Sequence, residues 1–213
     1  LLIANTEFPL NTQSVPSRNT LSPALPAAHV IASNVASALA EEICSGDLSA
    51  ALIDKQKVIQ ARLITREPGV LCGTAWFDEA FRQVDSRIEV DWAMNDGDQL
   101  VAGQQLCQIR GNARGILTAE RCAMNFLQTL SSTATQAKQC YQRIAGRSLT
   151  LLDTRKTIPG LRLAEKYATR CGGFKNHRLG LYDQYLIKEN HIHAAGSIQQ
   201  AVEHALAHSS HFI

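Results

Sequence analysis

Hydrophobic residues in the first half of the chain follow two spacings, one helical and one strand-like. Apolar residues recur every four positions over 31–43, which places them on one face of a helix. Apolar and polar positions alternate over 58–65, as they do in a half-buried strand. A short helix opening at Thr74 and an alternating strand over 88–92 repeat the two patterns. Residues 30–115 therefore predict a domain of mixed α/β layers.

The pattern changes in the second half. A single apolar stripe predicts a long helix from Thr118, taken as its N-cap, to about Ala145. The continuous apolar run Leu149–Leu152 predicts a strand buried on both faces. A helix from Pro159 to Arg170, a strand over 185–187 and a helix over 197–208 are predicted next.

Strand, helix, strand and helix joined by short links are typical of a parallel α/β sheet or barrel. We therefore predict an α/β fold with an N-terminal α/β sandwich domain followed by an open α/β barrel. Two strand–helix units do not close a barrel, so we expect the barrel to be incomplete in this sequence. The predicted division is an extended proline-containing arm (1–28), the sandwich domain (29–117) and the first part of the barrel (118–213).

Composition narrows the class of protein. The chain has 213 residues, and 21 Lys+Arg against 19 Asp+Glu give a net charge of +2, which offers no case for nucleic acid as a partner. No apolar stretch is long enough for a membrane span, so no membrane partner is expected. The six cysteines are scattered without a C-x-x-C pair, which favours free thiols in a reducing, cytoplasmic location.

Residues 96–111 have the pattern of the hairpin found in lipoyl and biotinyl carrier domains. Such a carrier presents a lysine for attachment, and the sequence has no lysine from Val58 through Ala137. A carrier function is therefore excluded, although a similar β-hammerhead shape remains possible.

Basic residues cluster where loops are expected to meet a ligand. Residues 153–157 (DTRKT) follow one predicted strand, residues 188–191 (KENH) follow the next, and residues 176–178 (NHR) lie between them. The carboxyl ends of parallel strands converge on the ligand in such folds. Arginine binds carboxylates and phosphates through two parallel hydrogen bonds, and lysine supplies a point charge. The pattern therefore predicts a highly anionic substrate.

Longer motifs make the prediction specific. They are LLDTRKTIPGLR (151–162), EKYATRCGGFKNHRLGLYDQYLIKENH (165–191), ARGILTAERCAMNFLQTLSS (113–132), SGDLSA (45–50) and REPGVLCG (66–73). Together they resemble the quinolinate phosphoribosyltransferase family from about residue 30 onwards.

The resemblance implies a reaction and an assembly. The family converts quinolinate and phosphoribosyl pyrophosphate, with Mg²⁺, into nicotinate mononucleotide, pyrophosphate and carbon dioxide. The resemblance also implies a homodimer in which each active site combines one barrel with the partner's N-terminal domain. Arg121, in TAERCAMN, resembles the arginine that the family donates across this interface.

Other roles follow residue by residue from the same resemblance. Thr154, Arg155 and Lys156 are expected to flank the substrates. His177 and Arg178 are expected to hold the pyridine dicarboxylate.

Lys188 is expected to meet the ribosyl pyrophosphate, and Lys156 and Lys188 are the expected catalytic residues. No metal ligand is expected in this sequence, because the acidic metal-facing residues of the family lie on later strands. Asp153 is expected to be structural, and Arg162 is equally well explained as a phosphate contact or a helix-surface charge. Phe174 stands where the family has a third glycine, so the loop before NHR is expected to differ in shape.

Two alternatives remain open at this stage. One is a paralogue associated with molybdenum uptake loci, which acts on a different substrate; the arginines of TRK and NHR argue against it. The other is a chain that only binds anions or dimerises, without catalysis.

Overall fold

The structure, a computed structural model, describes residues 23–208. Its helices are α1 (Ala28–Ile43), α2 (Thr74–Val84), α3 (Ala113–Arg143), α4 (Arg162–Cys171), α5 (Glu189–Ala195) and α6 (Ile198–His208). Its strands are β1 (Val58–Ile64), β2 (Gly69–Val70), β3 (Glu89–Trp92), β4 (Gln99–Leu100) and β5 (Gln105–Asn112). None of the helices within 23–208 combines the length and the apolar character that a membrane crossing needs. The arm predicted over 1–28 falls mostly outside the described residues, and its last residue already belongs to α1.

A three-stranded antiparallel sheet and the helices packed on it form the N-terminal layers. β5 lies in the centre, between β1 and β3. Leu63 pairs with Cys107 and Ala61 with Ile109, and these four side chains are buried on one face of the sheet. Phe77 of α2 packs against this layer. Its ring meets the ring of Trp92 edge-on, with the two ring centroids 5.1 Å apart. The predicted helices over 31–43 and from Thr74, and the strands over 58–65 and 88–92, are confirmed within three residues at each end.

The prediction that Thr118 caps the long helix is wrong. Helix α3 begins at Ala113, directly after β5, because the side chain of Asn112 accepts hydrogen bonds from the backbone N–H groups of Arg114 and Gly115. The Thr118 hydroxyl instead donates to Asp47 at 2.8 Å. Asparagine serves as an N-cap at least as readily as threonine, so a start at Asn112 needs no special explanation.

Side chains of α3 form hydrogen bonds with the backbone of the short strand β2 and of the residues that follow it. Thr135 Oγ1 accepts from the Val70 N–H at 2.9 Å. Ser131 Oγ accepts from the Cys72 N–H and donates to its carbonyl oxygen. β2 pairs with β4, whereas β5 pairs with β1 and β3, so residues 99–112 contribute to two sheets rather than to a simple carrier-type hairpin.

A buried carboxylate ties α4 to the N-terminal layers. Asp96 accepts hydrogen bonds from the backbone N–H groups of Gly73 and Thr74 at the start of α2, and from the Tyr167 hydroxyl at 2.8 Å. Burial raises the pKa of the Asp96 carboxyl, and these three donors oppose the shift. Gly172, at the end of α4, lies so close to α3 that a Cβ there would meet the Ala134 carbonyl at 2.5 Å. These contacts fix the base from which the second half of the chain extends.

Three predictions for the second half are corrected. The run Leu149–Leu152 is not a strand buried on both faces, because within the described residues it forms a single parallel bridge, Leu152 with Lys175, and Leu149 is 59% exposed. Residues 185–187 form no strand. Helix α4 begins at Arg162 rather than at Pro159, which lies in a turn. An apolar run indicates that a segment is buried by other residues, but it does not show that those residues are among the ones the structure describes.

Candidate active site

The bridge between Leu152 and Lys175 places two basic segments side by side. The Asp153 N–H donates to the Lys175 carbonyl at 3.1 Å, and the Lys175 N–H donates to the Leu151 carbonyl at 2.9 Å. We call residues 153–157 the DTRK segment and residues 176–178 the NHR segment. Both segments leave the bridge in the same direction, because the pairing is parallel. The structure thus brings together two of the three clusters singled out in the sequence.

Asp153 fixes the start of both segments. Its Oδ1 accepts from Lys166 Nζ at 2.6 Å and from the His177 N–H at 2.7 Å. Its Oδ2 accepts from Asn176 Nδ2 at 2.6 Å. Asp153 and Lys166 are 9% and 1% exposed, so their ion pair lies inside the protein. These contacts give Asp153 the structural surroundings expected for it.

His177 and Arg178 are held in defined orientations. His177 Nδ1 accepts the backbone N–H of Arg178 at 2.7 Å, which leaves a proton on Nε2 in the neutral ring. The Arg178 guanidinium donates to the Gln184 carbonyl at 3.3 Å. The ring and the guanidinium are both half-buried, and each retains donors that these contacts do not use.

Two more arginines are anchored to the loop after the NHR segment. Arg155 Nη1 donates to the Gly180 carbonyl at 3.5 Å. Arg162 donates to Thr157 Oγ1 and to the Leu179 carbonyl. Arg162 therefore joins the DTRK segment to this loop rather than lying free on the helix surface. The bonds leave the positive charges of Arg155 and Arg162 without a carboxylate partner among the described residues.

The remaining residues selected from the sequence are more exposed. Thr154 Oγ1 accepts the Lys156 N–H at 3.0 Å, which folds the DTRK segment into a tight turn with both side chains accessible. Lys188 is the N-cap residue of α5, and its N–H donates to His191 Nδ1. Its ammonium is exposed and forms no hydrogen bond with another described residue. The structure does not place Lys188 in contact with the DTRK or NHR segment.

Arg121 stands apart from this group. It lies exposed on α3 and makes no side-chain hydrogen bond or ion pair with another described residue. Arg114, one helix turn before Leu117, donates to the Ile53 carbonyl and so attaches the segment before β1 to α3. Arg121 therefore does not contact the other site residues within one copy of the chain.

A cavity of about 390 Å³ opens beside Arg178. Its lining is mostly apolar and includes Tyr185, Ile187 and His191. Within residues 23–208, no group of three or more His, Cys, Asp or Glu side chains is arranged to hold a metal ion.

Sequence reasoning missed Lys166 as part of the site. The sequence pattern points to basic residues that follow strands as site residues. Lys166 instead lies in the middle of α4, where a lysine normally faces solvent. Its pairing with Asp153 spans 13 positions and becomes visible only when α4 packs under the bridge.

Comparison with known proteins gives a consistent match over the chain. The profile of the quinolinate phosphoribosyl transferase N-terminal domain matches residues 47–131, and that of the C-terminal domain matches residues 133–213. A probable carboxylating nicotinate-nucleotide pyrophosphorylase of Bacillus subtilis is 37% identical over 173 residues, which cover 81% of this chain and 60% of the relative. The Synechocystis protein of the same description is 42% identical, with 78% and 56% covered. The chain thus spans little more than half the length of these relatives.

A solved structure supports the same conclusion. The nicotinate-nucleotide pyrophosphorylase of Francisella tularensis superposes with a TM-score of 0.85 and 42% identity, covering 95% of this chain and 69% of that one. This match confirms the fold class predicted from the sequence, an α/β protein with an N-terminal sandwich domain followed by part of an α/β barrel.

Proposed function

The chain belongs to the quinolinate phosphoribosyltransferase family, and on that premise we propose that it transfers the phosphoribosyl group of phosphoribosyl pyrophosphate to quinolinate. The pyridine nitrogen forms a bond to the anomeric carbon of the ribose as the bond from that carbon to pyrophosphate breaks. The bond between ring C2 and its carboxylate then breaks. Carbon dioxide leaves, its electron pair remains on the ring carbon, and that carbon takes up a proton. The products are nicotinate mononucleotide, pyrophosphate and carbon dioxide.

One observation carries this proposal. Arg155 and Arg178 come from neighbouring segments, and each guanidinium is anchored by a backbone carbonyl rather than by a carboxylate. A carbonyl orients an arginine without neutralising it, so both side chains keep their charge for an anion. A pyridine dicarboxylate supplies two carboxylates on adjacent ring atoms, which suits two oriented guanidinium groups.

Each residue of the site has a role in this proposal. Arg155, Arg178 and His177 hold quinolinate, with the Nε2 proton of His177 available as a donor. Lys156 and Lys188 act on phosphoribosyl pyrophosphate, where their ammonium charges stabilise the departing pyrophosphate. Thr154 sets the turn that presents Lys156. Catalysis then rests on positioning and electrostatics, with no covalent enzyme intermediate.

Mg²⁺ belongs to the proposal as part of the substrate. Asp153 starts the DTRK segment, and Asp183 lies in the loop after the NHR segment. Both carboxylates already accept hydrogen bonds from donors of the protein. The described residues therefore offer no ready resident site, and we expect the ion to arrive bound to the phosphates of phosphoribosyl pyrophosphate. Charge neutralisation of pyrophosphate is the chemistry it would supply.

A homodimer with shared active sites is the proposed assembly. Arg121 lies on the same exposed face of α3 as Leu117, one turn away. Leu48 and Leu52, each 89% exposed, lie in a segment that the bonds from Thr118 to Asp47 and from Arg114 to Ile53 attach to α3. An apolar patch with an uncompensated arginine fits a face that a second copy covers.

The same proposal includes a reducing, cytoplasmic location. All six cysteines are free thiols, and the sulfur atoms of Cys72 and Cys171 lie 3.7 Å apart, joined by a thiol hydrogen bond rather than by a disulfide. Thiols so close together remain reduced in compartments rich in glutathione or thioredoxin.

A product assay tests the function. The purified protein is incubated with Mg²⁺, phosphoribosyl pyrophosphate and quinolinate labelled with ¹³C in the 2-carboxylate. We expect labelled carbon dioxide and nicotinate mononucleotide in equal amounts, and none when nicotinate replaces quinolinate. A folded sample that forms no nucleotide, or one that uses nicotinate equally well, contradicts the proposed reaction.

A further inference from the structure

The ion pair between Lys166 and Asp153 is the most deeply buried charged feature of the described chain. The Lys166 ammonium is bonded to Asp153 Oδ1 at 2.6 Å and to the His177 carbonyl at 3.0 Å. Only 2% of the Lys166 side chain and 5% of the Asp153 side chain are exposed. Lys166 therefore contacts the first residue of the DTRK segment and the middle residue of the NHR segment at once.

Lys166 does not add positive charge to the site. Its ammonium is neutralised by Asp153 and closed off from solvent, so no substrate can reach it. Stability is also a weak reason for the pair, because removing two charges from water offsets much of their mutual attraction. What the pair does supply is geometry, since an ammonium with two fixed partners holds those partners at a fixed separation.

The placement of the pair makes this geometry relevant to the substrate. Backbone-to-backbone hydrogen bonds join the two segments at residues 151–153 and 175, and just beyond them the Asp153 carboxylate joins the segments by accepting from the His177 N–H and from Asn176. Arg155 lies two residues beyond Asp153, and Arg178 lies one residue beyond His177. The Lys166 contacts thus lie where both segments begin, next to Asp153 and His177 and within two residues of the two arginines.

We propose that Lys166 is a positioning residue that holds Arg155 and Arg178 at the separation a pyridine dicarboxylate requires. This inference rests on the proposed function for its substrate, but the geometric claim concerns the two segments themselves. Lys166 touches neither substrate and acts through Asp153 and His177. A displacement of about 1 Å in such a frame costs on the order of a hundredfold in rate.

Two variants test the role. Lys166→Met removes the ammonium and keeps the length of the side chain. The double variant Asp153→Asn/Lys166→Met removes both charges, so that no lone carboxylate is left buried if the single variant folds poorly. Lys175→Met is the matched control, because it makes the same replacement at an exposed side chain beside the same bridge.

Steady-state kinetics and hydrogen exchange give independent readouts. We expect KM for quinolinate to rise at least about tenfold in both variants, with KM for phosphoribosyl pyrophosphate changed less than about threefold. We also expect faster amide exchange confined to peptides covering 150–157 and 174–182, with the β1–β5 pairing unchanged. The control variant should match the parent in both measurements.

The outcomes separate this inference from the proposed function. A quinolinate KM equal to that of the parent overturns the positioning role, as does a loss of kcat with faster exchange throughout the chain, which would show a merely structural residue. If the parent protein binds no quinolinate, the proposed function fails and exchange decides alone. Local loosening of the two segments then supports the positioning role, and unchanged or general exchange overturns it.

Discussion

Replacing Arg178 by alanine should lower kcat/KM for quinolinate by about a hundredfold, or about 3 kcal/mol. The variant loses charge-assisted hydrogen bonds to a carboxylate, and within residues 23–208 the only side-chain hydrogen bond it gives up is the one to the Gln184 carbonyl. That carbonyl lies in a part-buried loop rather than in the core, so the protein should still fold. Steady-state kinetics with quinolinate as the varied substrate checks the prediction.

Selectivity is the critical part of this result. Lys188→Ala should instead lower kcat sharply and raise KM for phosphoribosyl pyrophosphate rather than for quinolinate, because the exposed Lys188 ammonium is assigned to the phosphates and the departing pyrophosphate. Arg147→Ala, which removes an exposed arginine outside the site, is the matched control and should behave as the parent. An Arg178→Ala protein that loses affinity for both substrates equally would show that the residue supports the loop rather than the dicarboxylate.

The second large effect concerns the shared site. Arg121→Ala and Lys188→Ala should each be nearly inactive alone, and an equal mixture of the two should recover about a quarter of parental activity. Half of the randomly formed dimers combine one subunit of each kind. Each of these dimers has one site with Lys188 from one subunit and Arg121 from the other, and a second site that lacks both.

The mixture has to be formed by dissociating and reassociating the subunits, with activity measured before and after. A control mixture of Arg121→Ala with Arg121→Ala/Lys188→Ala should recover nothing, because no dimer then contains an intact Arg121. Activity that stays at the level of the separate variants would contradict the shared site. It would leave Arg121 as an exposed helix residue with no part in catalysis.

The sequence was sufficient for the parts of the fold that depend on local patterns. β1 was predictable because Ala61 and Leu63 alternate with polar neighbours, and the sheet buries them as the alternation requires. The DTRK and NHR segments were predictable as neighbours because both were placed in loops at the edge of an α/β sheet where strand ends converge. The long quoted motifs then identified the family, which no periodicity could do.

Other features depend on contacts between distant residues and were not predictable. The sequence pattern predicts the cap at Thr118, and only the junction of β5 with α3 selects Asn112. Leu149–Leu152 was apolar enough for a buried strand, but among the described residues its bridge partner is Lys175 alone. Lys166 lies in the middle of a helix, where a lysine normally faces solvent, and only the packing of α4 against Asp153 reveals its pairing.

Calorimetric titration of quinolinate and then of nicotinate into the folded protein tests the central claim most directly. The two ligands differ by one carboxylate, so the comparison isolates the second guanidinium contact. We expect quinolinate to bind at least about a hundredfold more tightly than nicotinate, since one paired carboxylate contributes about 3 kcal/mol. Equal affinity for the two ligands, or no binding of quinolinate to a sample with native-like unfolding behaviour, would contradict a dicarboxylate site built from Arg155, His177 and Arg178.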